Sequence, residues 1–118
     1  FSRYLEQNDP RAVNAWFAHS DIAASDIIRA LMEHGVRVPE EVSVCGYNDT
    51  LLARKMIPSV SSVASPIDEI ARMAIELLIH AMDQDNEPET VCLTPHLIVR
   101  ESSTVRINKF STEGLDNT

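Results

Sequence analysis

Polar breaks divide the chain into apolar runs of two periods. Ala12 to Ala18 (AVNAWFA) is continuous and apolar apart from Asn14, the pattern of a buried strand. From Ala24 the period changes. Ala24, Ile27, Ile28, Leu31 and Met32 recur at three- and four-residue spacing and form one helical stripe. Ser20 or Asp21 can cap that helix by accepting a first-turn N–H, and Gly35 after His34 can end it in a left-handed conformation. Val42 to Tyr47 predicts a second strand, closed by the turn formers Asn48-Asp49-Thr50. Leu51 to Pro58 is an apolar linking segment, and Val60 to Ala64 is a short third strand. A second helix follows, with Ser65 as its cap, Pro66 at its first position and Asp68 at capping-box spacing. Its apolar face is Ile67, Ile70, Ala71, Ala74, Ile75, Leu78 and Met82. Asp83 to Glu89 is a polar loop. Thr90 to Leu93 and Leu97 to Arg100 are strand-like around Pro95, and the chain then turns polar.

Strands that alternate with helices predict an α/β fold with a parallel sheet and right-handed crossovers. Ligands bind such sheets at the carboxyl ends of strands. Two strand ends here carry polar clusters, His19-Ser20-Asp21 and Asn48-Asp49-Thr50.

Composition narrows the function classes. With 44% apolar and 24% charged residues, the chain can bury a core, and no run is long and apolar enough for a membrane span. Ten basic against eighteen acidic residues give a net charge of −8, and no basic cluster exceeds Arg54-Lys55. Such a surface repels a phosphate backbone. Cys45 and Cys92 both lie in apolar runs and read as buried thiols in a reducing compartment rather than a disulfide framework. Phe1 to Gln7 lacks the basic and apolar regions of a signal peptide and reads as the last turns of a helix, so the chain is expected to start inside something larger.

The candidate chemistry is modest. His19-Ser20-Asp21 holds the residue types of a hydrolase triad, but sequence neighbours cannot form that spatial relay. The cluster serves helix capping, alone or together with ligand contact through a free helix N-terminus. Asn48-Asp49 is either an amide–carboxylate pair for hydroxyl groups or a plain turn. Trp16 reads as core in preference to a stacking surface. His19, His34, His80 and His96 show no metal-ligand spacing, so no metal is expected. With three glycines and no glycine-rich fingerprint, no nucleotide cofactor is expected either.

Longer motifs say more. The S-D before a helix, HGVRVPEEVSVCGYND, IPSVSSV and the closing LIVRES occur in order over about 90 of 118 residues. Together they resemble the C-terminal part of a lactose/galactose-repressor (LacI/GalR) family regulator. The resemblance implies a three-layer, mostly parallel sandwich, the C-terminal portion of a type I periplasmic-binding-protein-like two-lobed fold. Residues 1–103 belong to that effector-binding domain, and 104–118 form a polar, partly disordered tail. It implies a cytoplasmic binding module that is not an enzyme. The implied effector is a small molecule, commonly a sugar or a nucleobase in this family and here expected to be a sugar, and operator DNA is expected to be bound only through a helix-turn-helix domain outside this chain. The alternative is a periplasmic sugar-binding transport protein of the same fold.

On that template Ser20, Asp21, Asn48 and Asp49 fall at effector-contact positions. Asn48 departs from the family's Asp, keeping an acceptor, gaining two donors and losing a charge. Ser65 falls where some members contact ligand with Gln. Val60-Ser61-Ser62-Val63 stands for the family's L-T-T-V as a mild change. The Pro66 to Met82 helix returns to the other lobe, and Leu93 to Arg100 crosses back. The resemblance also implies a homodimer formed through Ile22, Ser25, Asp26, Arg29, Leu52, Met56 and Ile57.

Overall fold

The computed structural model describes residues 1–82 and 89–104. After a short helix α1 (Ser2–Leu5) and a 3-10 turn (Pro10–Ala12), the order is β1 (Ala15–Phe17), α2 (Asp21–Glu33), β2 (Ser43–Tyr47), α3 (Leu51–Lys55), β3 (Ser61–Ala64), α4 (Ile67–Ala81) and β4 (His96–Ile98). A last 3-10 turn spans Glu101–Ser103.

The strands form one sheet in the order β1-β2-β3-β4. The first two pairings are parallel, with Trp16 opposite Val44 and Gly46 opposite Ser62. The last is antiparallel, with Ala64 opposite His96. That register explains the departure from a wholly parallel sheet. The chain leaves through α4 from the end of β3 and re-enters the sheet at the same end, so β4 runs back along β3. No strand forms over Thr90–Leu93, because only residues 96–98 find a ladder partner.

The core is built where α2 lies on β2. Ala24, Ile27, Ile28, Ala30 and Leu31 are buried on α2, and Val44 is buried on β2. Leu5, Ala18, Val36, Val42, Ala53 and Val60 complete the cluster. Met32, expected in the same stripe, is exposed in the last turn of α2. Gly46 sets how closely the helix approaches. A Cβ there would lie 2.5 Å from Asp21 Oδ1 and 3.2 Å from the Ala24 Cβ.

Helix α2 begins and ends as expected. The Ser20 Oγ accepts the Ala23 N–H at 3.2 Å, and Gly35 follows with φ 72°. The expected start of α4 is corrected. Pro66 is the cap, the first helical residue is Ile67, and no side chain caps it. Ser65 is diverted, its Oγ donating to the Tyr47 Oη at 2.9 Å. Leu51 to Pro58 is not simply a link, since α3 occupies its first five residues.

Helix α4 buries no residue although its apolar positions repeat at helical spacing. Ile67, Ile70, Ile75, Leu78, Ile79 and Met82 are all exposed. Cys45 is half-buried and its thiol is pushed up by burial and the charge of Asp21. Cys92 is exposed, contrary to the expected burial. Trp16 is half-buried, with Phe1 and Tyr4 edge-on to it at 5.0 and 5.3 Å between ring centroids. The expected polar loop (83–88) and the tail from 105 onward lie outside the described residues.

Candidate functional site

Parallel pairing of β1 and β2 places their carboxyl ends side by side at one sheet edge. The turn after β1 carries His19 and Ser20, and the turn after β2 carries Asn48, Asp49 and Thr50. Asp21 joins them. Its side chain is fully buried, and Oδ2 accepts the Thr50 N–H at 2.6 Å and the Thr50 hydroxyl at 2.8 Å. Oδ1 accepts the Ser62 hydroxyl at 2.6 Å, so β3 is tied to the same carboxylate.

The second turn is held as firmly. Asn48 and Asp49 have φ of 98° and 52°, the left-handed region that Asn and Asp enter more readily than other non-glycine residues. The Asn48 N–H donates to Val63 O at 2.9 Å. The Asp49 N–H donates to Ser62 Oγ at 3.0 Å. Asp49 Oδ1 pairs with Arg100 at 2.5 Å and Oδ2 with Arg54 at 2.7 Å. Burial alone would raise the Asp49 pKa. Hydrogen bonds from the two guanidinium groups and their charges outweigh it and hold the carboxyl below its ordinary value.

The four residues expected at the site therefore separate into two kinds. Asn48 is exposed and Ser20 half-buried at the sheet edge. Asp21 and Asp49 are buried, their carboxylate oxygens already bonded to protein donors. Both carboxylates brace the turns through bonds within the protein. The arrangement presents a hydroxyl and a carboxamide, neutral groups suited to hydrogen bonding with hydroxyls.

Sequence reasoning placed Thr50 in the second polar cluster but gave no role to Ser62, Arg54 or Arg100. Ser62 stood in a segment read as a mild variant, yet its hydroxyl bridges Asp21 and Asp49. Arg100 stood inside the quoted LIVRES without a role.

Residues 2–103 match the model of the periplasmic binding protein-like domain. The chain belongs to that family. The sequence is 34% identical to the ribose operon repressor of Haemophilus influenzae over 102 residues, 86% of this chain and 30% of that protein. Among solved structures, the complex of the transcriptional regulator CelR with cellobiose is 38% identical and matches with a TM-score of 0.76. The match covers 86% of this chain and 31% of that one. A LacI-family regulator from Sanguibacter keddieii matches with a TM-score of 0.78 at 31% identity, over 86% and 39% of the two chains. The resemblance to LacI/GalR regulators is thus borne out, and with it the periplasmic-binding-protein-like α/β fold. The chain spans about 30% of the length of the first of these relatives.

Proposed function

We propose that this chain is the effector-sensing and dimerisation portion of a bacterial transcriptional regulator, a repressor that binds a small sugar. The observation that carries the reading is the pair of polar turns at neighbouring parallel strand ends, locked together through the Asp21 carboxylate. The relatives support it, since one is a ribose operon repressor and another is a regulator complexed with cellobiose.

In this reading the Ser20 oxygen accepts the Ala23 N–H and its proton donates to a sugar oxygen. The Asn48 amide both donates and accepts. Asp21 and Asp49 hold the two turns in place. Effector binding changes operator affinity through a helix-turn-helix domain in the longer protein. The module performs no catalysis and works in the cytoplasm. Among the described residues no helix is long and apolar enough to cross a membrane. The regulator names of the relatives support this reading over the periplasmic transport alternative.

Two copies pair through the surface beside α3. Ile22, Leu51, Leu52 and Ile57 are exposed there, Ile57 at 90%. A concentration of exposed apolar residues on α3 and the residues beside it supports an interface there. Asp26 and Arg29 form an exposed pair at 3.4 Å beside it. Ser25 is half-buried, its Oγ donating to Ile22 O, and Met56 packs against the core, so both belong to the support of the patch.

The test is operator binding by the full-length protein at fixed salt, with cellobiose, ribose and other pentoses and hexoses titrated in. One sugar should change operator affinity by about 5- to 150-fold. No response to any of them would contradict the proposal.

A further inference from the structure

The turn that carries Asn48 is fastened by two arginines of different kinds. Arg54 is a local clasp. It lies five residues after Asp49, its side chain is 57% exposed, and its guanidinium bonds both the carboxylate and the carbonyl of Asp49. Arg100 lies 51 residues after Asp49, and its side chain is only 16% exposed. Its Nη2 reaches Asp49 Oδ1, while its Nη1 donates to Val60 O at 2.8 Å. Its own N–H donates to Ser61 Oγ at 2.7 Å. The Arg100 guanidinium thus pins the Asp49 carboxylate to the β3 segment, where Val63 O also receives the Asn48 N–H.

These bonds matter because the backbone at Asn48 and Asp49 is left-handed, a conformation that persists in non-glycine residues when the surroundings over-determine it. We propose that Arg100 is a positioning residue for Asn48. By fixing Asp49 against β3 it holds the left-handed turn, and so sets where the Asn48 amide points. This rests on the reading of Asn48 as a ligand contact; Arg100 acts on it through Asp49. The placement also joins the site to α4. Val63 sits near the end of β3, from which the chain enters α4, and Arg100 follows β4, on which it returns.

Hydrogen exchange of the ligand-free, full-length protein tests the proposal separately from sugar binding. Arg100→Gln should speed exchange at the Asn48 and Asp49 amides by about tenfold or more, with Ile28 and Leu31 in α2 changed by less than about twofold. Arg54→Gln should speed the same turn by no more than about threefold, because Arg100 still spans to β3. Arg100→Lys should fall between wild type and Arg100→Gln, since an ammonium keeps the charge but lacks the fork that reaches two acceptors. If Arg100→Gln does not fold, faster exchange confined to residues 48–49 in Arg100→Lys supports the proposal. Unchanged exchange at the turn, equal acceleration through α2, or an Arg54→Gln effect equal to that of Arg100→Gln would each overturn it. A sugar that fails to bind would overturn the ligand reading and leave this result standing.

Discussion

Asp21 and Thr50, one at the start of α2 and the other just before α3, are joined twice. A single carboxylate oxygen of Asp21 accepts both the main-chain N–H and the hydroxyl of Thr50, at 2.6 and 2.8 Å. Because the carboxylate is fully buried and also receives the Ser62 hydroxyl, three donors depend on it. Asp21→Ala should destabilise the chain by about 1–3 kcal/mol, the cost of leaving the buried Ser62 hydroxyl and the part-buried Thr50 donors without their acceptor. Urea unfolding measures it. A change below about 0.5 kcal/mol, the scale of an ordinary surface substitution, would show that the junction contributes little.

The close approach at Gly46 gives a second expectation. A methyl group placed there meets the side chain and backbone of Asp21 and the Ala24 Cβ, so α2 must move away from β2. Gly46→Ala should lower stability by about 1–3 kcal/mol, the usual cost of overpacking. A thermal midpoint equal to that of the wild type would mean that the helix yields freely.

Acid sensitivity should appear at the opposite end of the sheet. Glu41 accepts from Arg11 at 2.8 Å and from the Arg37 backbone and side chain at 3.0 and 3.1 Å. These bonds, Arg11's first, lower its pKa from 4.5 to about 2. The folded carboxyl is the stronger acid, so its contribution is present above the unfolded value of 4.5 and is lost as pH falls toward 2. An NMR titration of the Glu41 side chain should show a midpoint far below 4.5; a midpoint at the ordinary value would mean that the bonds do not persist in solution.

Self-association has its own test. Ile57→Asp places a charge in the proposed interface at a position that is 90% exposed, so folding of the single chain is spared. Sedimentation of the full-length protein should show the variant shifted from dimer toward monomer with its circular dichroism unchanged. A wild-type monomer at tens of micromolar, or a variant that remains fully dimeric, would contradict the assignment. Met56 is the poorer probe because it packs against the core.

What the sequence made legible was local or periodic. The stripe of α2, its Ser20 cap and Gly35 terminus are visible because cap, period and stop lie within fifteen or so residues of one another. The family motifs pointed to the edge formed by Ser20 and Asn48. Long-range partners were not legible. Arg100 meets Asp49 from 51 residues away, and no spacing rule links them. Helix α3 was missed because it is five residues long and Thr50, its cap position, gives its hydroxyl to Asp21 instead of to the helix. Ser65 resembled a cap by spacing, but Tyr47, on the neighbouring strand, captures it. The antiparallel β4 depends on where α4 returns, which alternation of strands and helices does not encode.

The central claim is that Asn48 meets the effector from the edge of the sheet. Asn48→Gly is the cleanest variant, because glycine accepts the 98° φ without strain while deleting the amide. Calorimetric titration of the full-length protein with the sugar that alters its operator binding tests the claim directly. Binding free energy should weaken by about 1–3 kcal/mol, with the thermal midpoint of the ligand-free protein nearly unchanged. An affinity equal to that of the wild type would contradict it.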